Sequence, residues 1–106
     1  MVTMTTITRI YEFAAAHSLW EHPGKCQQIH GHNYKVEVTV EKGPWFEELD
    51  EVVNPIIEKL DHTFLDDMPT MKSPTAEHIA EYVFEHGDFL KVKVWENDRS
   101  FAEVTH

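Results

Sequence analysis

The sequence predicts an α+β domain in which one antiparallel sheet carries two helices on one face, in the order ββααββ. Two patterns support this prediction: apolar residues alternate at period two near both ends of the chain, and they recur at helical period between residues 46 and 86. A chain of 106 residues with 42% hydrophobic composition has enough apolar material for one core. We therefore expect a single domain over residues 1–106.

The first two strands are predicted from alternating residues. In residues 7–17 the odd positions form a largely apolar row that contains Tyr11, Phe13, Ala15 and His17. In residues 30–41 the even positions form a second row that contains His30, His32, Tyr34, Val36, Val38 and Val40. Polar residues occupy most of the alternate positions, so each strand has one face suited to burial, and histidines lie on that face.

The first helix is predicted from an apolar stripe at helical spacing. The stripe follows the turn signal Gly43-Pro44 and contains Phe46, Leu49, Val52, Val53, Ile56, Ile57 and Leu60. It predicts a helix that ends near Asp61. Pro55 lies inside the stripe and removes one backbone donor, which predicts a kink or a local hydrogen-bond defect.

The second helix and the last two strands complete the order. Ser73 and Pro74 match an N-cap and a first helical residue, and the helix should run to about residue 86. A third strand follows, with one face formed by Leu90, Val92, Val94 and Glu96. A turn at Asn97-Asp98 then leads into a last strand over residues 100–104.

Charge and composition exclude several classes of partner. The formal net charge of −10 opposes binding to nucleic acid or to an anionic membrane, since both need clustered Lys and Arg. No apolar run approaches the roughly 20 residues that span a bilayer, and residues 1–9 do not resemble a signal peptide. We therefore expect a soluble, cytoplasmic protein. Cys26 is the single cysteine, which predicts a free thiol in a reducing compartment.

Three histidines on the inward-facing rows predict a metal site. His30 and His32 lie two residues apart on one face, and His17 extends the row of the first strand. Buried imidazole nitrogens without partners cost free energy, and a shared metal removes that cost. Three histidines with an open fourth position are typical of catalytic zinc. The alternative is that each ring is satisfied by a neighbouring carbonyl.

Several motifs resemble those of the 6-pyruvoyltetrahydropterin synthase family. They are Phe13-Ala14-Ala15-Ala16-His17, the segment from Cys26 through His30-Gly31-His32-Asn33-Tyr34, Leu60-Asp61-His62, Pro74-Thr75-Ala76-Glu77 and Val94-Trp95-Glu96. The resemblance covers nearly the whole chain. Three residues separate Cys26 from His30, and this spacing resembles the branch of the family that makes 6-carboxytetrahydropterin for queuosine.

The resemblance implies a fold, an assembly and a role for each motif residue. It implies the tunnelling fold (T-fold), homo-oligomers that are commonly hexamers, and active sites at subunit interfaces. It makes His17, His30 and His32 ligands of Zn²⁺ and Cys26 the catalytic thiol. It also makes Asp61 and His62 proton-relay partners of the thiol, Glu96 the anchor of the pterin ring, and Thr75 a further pterin contact.

The activity implied by the resemblance is that of a zinc-dependent lyase. The enzyme would convert 7,8-dihydroneopterin triphosphate to 6-carboxy-5,6,7,8-tetrahydropterin, with release of acetaldehyde and triphosphate. One alternative is 6-pyruvoyltetrahydropterin synthase, which keeps the side-chain carbons. Another is a zinc-containing pterin-binding protein without turnover. A zinc hydrolase ranks last, because the sequence has no H-E-x-x-H motif.

Some of these residues also have simpler interpretations, and one segment departs from the family. Asp61-His62 fits a helix end where His interacts with the helix dipole, and Glu96 fits an ion pair at a strand end. The family usually has a longer hairpin and a Met-Val-x-Asp-Phe strand before the first helix. Here residues 41–46 span that gap, with Trp45 in place of the Asp. We therefore expect a shortened central hairpin.

Overall fold

Five strands and two helices make up the fold. The structure, a computed structural model, describes residues 3–17, 30–65 and 75–106. The elements are β1 (Thr6–His17), β2 (His30–Glu41), α1 (Phe46–Leu60), β3 (Thr63–Phe64), α2 (Ala76–Glu85), β4 (Lys91–Asn97) and β5 (Ser100–Thr105). The predicted order ββααββ is confirmed, with the two-residue strand β3 added between the helices.

The strands form one sheet in the order β3-β1-β2-β4-β5. The pairs β1–β2, β2–β4 and β4–β5 are antiparallel, as predicted. Strand β3 pairs parallel to the end of β1, where Thr63 lies opposite Ala15. A strand of two residues is too short to show a periodic pattern, so the sequence analysis did not predict it.

The hydrophobic core lies between one face of the sheet and the two helices. The strand residues of this core are those of the predicted apolar rows, including Tyr11, Phe13, Tyr34, Val36, Val38, Val92 and Val94. The helices contribute Leu49, Val53, Ile57, Leu60, Ile79 and Val83, all buried. Both helices therefore cover the same face of the sheet, which confirms the predicted layer arrangement.

The helix boundaries differ from the prediction at one point. α1 ends at Leu60 and runs through Pro55, close to the predicted bounds. The predicted start of α2 at Ser73-Pro74 is wrong, because Thr75 is the N-cap and the helix begins at Ala76. The Thr75 hydroxyl accepts a hydrogen bond from the His78 backbone N–H over 3.4 Å, and its backbone is extended. The N-cap is therefore Thr75, two residues after the predicted Ser73.

The connection between β2 and α1 is short. β2 ends at Glu41, and Trp45 precedes the first residue of α1, so no strand lies between these two elements. Glu48 accepts a hydrogen bond from the Trp45 backbone N–H over 3.0 Å, which satisfies one donor at the helix start. The predicted shortening of the hairpin is confirmed. Among the described residues, neither helix has the length and apolar character needed to cross a bilayer.

A polar cluster joins α1 to β1. The Tyr11 hydroxyl donates to Asp50 Oδ1 over 2.7 Å, and the Arg9 guanidinium donates to both carboxylate oxygens over 3.2 and 3.0 Å. The hydrogen bond from Tyr11 and the bonds and charge of Arg9 hold the pKa of the Asp50 carboxyl below its usual range. Burial and the same carboxylate raise the pKa of Tyr11. The cluster therefore stabilises an ionised Asp50 and a neutral Tyr11.

We expect the variant Asp50→Asn to unfold at a lower temperature than the wild type at neutral pH. A carboxylate with a lowered pKa contributes stability that is present at neutral pH and is lost as the pH falls through that pKa. The difference in melting temperature should therefore shrink in acid. Thermal unfolding followed by circular dichroism at several pH values measures it.

The matched control is Glu51→Gln, at an exposed neighbouring position on α1. This variant should melt like the wild type. If the melting temperature of Asp50→Asn stays below that of the wild type by the same amount from neutral to acid pH, the ionised carboxylate does not stabilise the fold.

The variant Tyr11→Phe loses the hydrogen bond from the Tyr11 hydroxyl to Asp50. Its free energy of unfolding should therefore be lower by about 0.5–1.5 kcal/mol.

Candidate active site

The three predicted zinc ligands occupy adjacent register positions at one end of the sheet. In the β1–β2 pair, His17 lies opposite His30, and Ala15 lies opposite His32. Residues directly opposite on antiparallel strands share a face, as do residues two apart on one strand. The three positions therefore lie on the same face as the buried core. The histidine side chains lie outside the described residues, so their role as ligands stays a prediction.

The predicted catalytic thiol also lies outside the described residues. Cys26 belongs to residues 18–29, which follow His17 and precede His30. The backbone positions of these two histidines mark the ends of that segment. The role of Cys26 in proton abstraction therefore stays a prediction from the sequence.

Asp61 and His62 lie beside the end of β1 and contact each other. Asp61 Oδ1 accepts a hydrogen bond from the Ala14 backbone N–H over 2.9 Å. Its other oxygen, Oδ2, lies 3.1 Å from His62 Nδ1. One carboxylate thus connects the backbone of the strand that carries His17 to an imidazole ring. An arrangement of this kind fixes the orientation and the tautomer of a histidine.

The backbone at His62 is held in an uncommon conformation. Its φ of 57° is in the left-handed region, which His adopts more readily than most residues but which is sparsely populated. The His62 backbone N–H donates to the Ala14 carbonyl, and β3 follows at once with Thr63 opposite Ala15. The contacts on both sides of the residue maintain this conformation. The His62 side chain is 83% exposed, so it is accessible to a substrate or to another subunit.

The contacts of the Asp61 side chain extend beyond the helix end. Asp61 does follow the last helical residue, and its backbone N–H donates to the Ile57 carbonyl. Its side chain, however, binds the sheet backbone and the His62 ring. The pair therefore makes contacts beyond those of a histidine at a helix end, and its role as a proton relay stays a prediction.

Glu96 lies at the end of the apolar row of β4, as predicted. It follows Val92 and Val94, which are buried, and is itself half-buried. The β4–β5 register shifts between Trp95 and Asn97, so Glu96 lies at a bulge. Bulges reorient side chains next to functional sites, which is consistent with a ligand-binding carboxylate at this position.

Tyr34 is a residue near Glu96 to which the sequence analysis assigned no role of its own in the site. It is 1% exposed, and its ring stacks on Phe13 with centroids 5.0 Å apart. The β2–β4 register, in which Lys35 lies opposite Trp95, brings Tyr34 close to Glu96 across the strands. Burial and the Glu96 charge raise the pKa of the Tyr34 hydroxyl, so it is a neutral donor. The sequence signal for it was a tyrosine at the point where the row changes from histidines to valines.

A polar cavity lies beside this pair. It has a volume of about 230 Å³, and Glu12, Asn33, Tyr34, Lys35, Trp95 and Asn97 contribute to its lining. It lies at the N-terminal end of β2, the end at which the positions of His30 and His32 are found. The sheet therefore brings the histidine positions, the Asp61-His62 pair and Glu96 to one end.

Thr75 has a structural role in the described part of the chain. Its hydroxyl caps α2 and also lies 3.3 Å from His78 Nδ1. The predicted contact between Thr75 and a pterin stays a prediction. Of the sequence-predicted site residues, Asp61 and His62 are thus the ones whose side chains the structure joins directly.

These features define an α+β domain with candidate catalytic groups gathered at one end of an antiparallel sheet. The model of the family described as 6-pyruvoyl tetrahydropterin synthase matches residues 6–106. The chain belongs to this family, and it is therefore a member of a family of lyases. The predicted family resemblance is confirmed.

Individual relatives agree with the family match. The chain is 38% identical, over 87% of its length and 88% of the relative, to an Archaeoglobus fulgidus protein provisionally named 6-carboxy-5,6,7,8-tetrahydropterin synthase. It is 35% identical to the 6-carboxy-5,6,7,8-tetrahydropterin synthase of Synechocystis, over 76% of this chain and 73% of the relative.

A solved structure shows the same fold. The 6-pyruvoyl tetrahydropterin synthase of Caenorhabditis elegans superposes with a TM-score of 0.87, over 98% of this chain and 96% of the other. The two sequences are 24% identical. The predicted tunnelling fold is confirmed by this likeness.

Proposed function

We propose that the protein is a zinc-dependent 6-carboxytetrahydropterin synthase of the queuosine pathway. With the uptake of one water, it would convert 7,8-dihydroneopterin triphosphate to 6-carboxy-5,6,7,8-tetrahydropterin, acetaldehyde and triphosphate. The observation that carries the proposal is the β1–β2 register, which brings the positions of His17, His30 and His32 together. The names of the relatives and the three-residue spacing between Cys26 and His30 support the carboxy-forming reaction.

The donor set fits zinc. Three imidazoles at adjacent register positions match the ligands of catalytic zinc sites, and the fourth position is left for substrate. When bound, the ion supplies Lewis acidity that stabilises negative charge as it develops on a substrate oxygen. His17, His30 and His32 would hold it at the inner face of the sheet end.

The protein groups would move the protons and hold the ring. The Cys26 thiolate would take the proton next to the side-chain hydroxyl of the substrate. His62, oriented by the Asp61 carboxylate 3.1 Å from its Nδ1, would carry protons to and from that centre. Glu96 would accept two parallel hydrogen bonds from the amino group and a ring N–H of the pterin. Thr75 would add a contact to the ring.

The assembly and the location belong to the same proposal. The 106 residues would form one catalytic domain that assembles into a homo-oligomer, a hexamer by resemblance, with sites shared between subunits. A cytoplasmic location fits a pathway that uses a reduced pterin and a free thiol. The half-buried Glu96 and the exposed His62 are consistent with completion of the site by a second chain.

Two alternatives remain under the family assignment. The first is the 6-pyruvoyl-forming reaction, in which triphosphate is eliminated and the carbon side chain is kept. The second is a zinc-containing pterin-binding protein without turnover. The observation that favours the second is the short connection between Glu41 and Phe46, since it departs from the family pattern.

The test is product analysis with the zinc-loaded protein and dihydroneopterin triphosphate. We expect acetaldehyde and 6-carboxytetrahydropterin in equal amounts, since one carbon–carbon bond breaks for each pterin formed. The variant Cys26→Ala should bind zinc normally and form product at least about 100-fold more slowly, because it lacks the base.

Each other result selects an alternative. A pyruvoyl product without acetaldehyde assigns the protein to the 6-pyruvoyl-forming reaction. Binding of zinc and pterin without any product assigns it to the binding class and refutes the proposed reaction. Equal rates for Cys26→Ala and wild type would refute the role of the thiol.

A further inference from the structure

An open apolar groove lies at the end of the sheet opposite the candidate active site. It has a volume of about 570 Å³, and its floor contains Val40, Leu49, Val52 and Phe89. Val40 is ten positions along β2 from His30, so the groove lies about 30 Å from the predicted zinc site. The groove and the candidate active site are therefore separate surfaces.

Acidic side chains surround the groove. Glu41, Glu48, Glu51 and Asp88 contribute to its lining and are exposed. Within the described ranges, Glu41, Glu51 and Asp88 form no side-chain hydrogen bond or ion pair. Three carboxylates thus lie next to apolar surface without a neutralising partner. A cationic ligand would gain both charge neutralisation and apolar burial there.

Large apolar side chains are exposed at the same place. Val52 is 50% exposed in the floor of the groove, and Trp45 and Phe46 are exposed at the start of α1. These are three of the six exposed large hydrophobic residues in the described part of the chain, so exposure is concentrated at this end. Contiguous apolar surface with a polar rim is typical of protein interaction sites.

We propose that this groove binds a basic segment of a partner protein that places an apolar side chain between lysines or arginines. The apolar side chain would cover Val52 and Leu49, and the flanking cations would pair with Glu51 and Asp88. A symmetric contact between two copies of this groove is disfavoured, because it would bring the same carboxylates together. The open groove, with Val52 exposed in its floor, suits an extended segment better than an enclosed small molecule.

The experiment titrates the isotope-labelled protein with synthetic peptides and follows backbone amide NMR shifts at physiological salt. The probe is Lys-Lys-Leu-Phe-Leu-Lys-Lys, and the comparison peptides are Glu-Glu-Leu-Phe-Leu-Glu-Glu and Lys-Lys-Ser-Gly-Ser-Lys-Lys. Physiological salt screens non-specific attraction to an acidic protein. We expect saturable binding of the first peptide, with shifts confined to residues 40–52 and 87–90.

Variants separate this groove from general attraction to a protein of net charge −10. The double variant Glu51→Gln/Asp88→Asn should lower the affinity for the probe peptide roughly fivefold, since two exposed charge pairs are lost. The matched control Glu58→Gln/Glu81→Gln removes the same charge from exposed positions elsewhere on the helices and should leave affinity unchanged. Val52→Ser should weaken binding through its apolar contact, with normal enzymatic turnover in all variants.

Several results would overturn the proposal. They are no saturable binding of the probe, shifts spread over other surfaces, equal weakening by the matched control, and equal affinity for the peptide without apolar residues. Oligomer formation that masks the groove would appear as loss of probe binding in the assembled protein. That result assigns the groove to a contact between copies and rejects the partner segment.

Discussion

Replacement of His30 by alanine is expected to abolish zinc binding and turnover together. His30 lies directly opposite His17 in the β1–β2 register, so its loss removes a ligand from the centre of the proposed set. Removal of a residue that hydrogen-bonds to a metal ligand lowers metal affinity or activity roughly 10–100-fold. Removal of the ligand itself should lower them further. Metal analysis of the purified variant and the product assay measure both effects.

The control for this variant is His106→Ala. His106 is exposed and lies on the other side of the fold, where its ring contacts Phe84 and the Phe89 carbonyl. It should retain zinc and activity. His30 is the first residue of β2, so we expect His30→Ala to keep its far-ultraviolet circular dichroism. A His30→Ala protein with full zinc content would refute the assignment of this residue.

The variant Asp61→Asn is expected to lower kcat by roughly 100-fold while KM and zinc content change little. The amide oxygen can still accept the hydrogen bond from the Ala14 N–H, so the helix end keeps its position. The amide nitrogen, which is a donor, then faces His62 Nδ1 in place of the carboxylate oxygen. The ring loses the charge that fixes its tautomer, so the relay fails with the fold intact.

Asp88→Asn provides the matched control for this change. It replaces an exposed aspartate at the opposite end of the sheet and should leave kcat and KM unchanged. A variant with normal kcat and an altered KM would show that Asp61 contributes to binding and not to proton transfer.

The strands and the histidine positions could be predicted because both depend on a simple repeat. Alternation at period two assigned the inward rows of β1, β2 and β4, and the buried residues Phe13, Val36 and Val94 confirm these rows. Two histidines two residues apart on a strand share a face, so the strand prediction was sufficient to group them. The apolar stripe at helical spacing predicted α1 equally well, and the helix continues through Pro55.

Features that depend on contacts between distant residues could not be predicted from the pattern. The bond between Asp61 and the Ala14 N–H joins residues 47 positions apart in sequence. Strand β3 follows this bond directly, and its residues 63 and 64 pair with β1. The start of α2 was misplaced because Ser73-Pro74 and Thr75 both carry N-cap signals, and the Thr75 hydroxyl is the one that bonds the helix.

The central claim is that His17, His30 and His32 hold one catalytic zinc. X-ray absorption at the zinc edge of the purified protein tests it most directly. The account predicts one zinc per chain, with three imidazole nitrogens at about 2.0–2.1 Å and one oxygen ligand from water or substrate. Absence of zinc after loading, or a first shell dominated by sulfur at about 2.3 Å, would contradict the account.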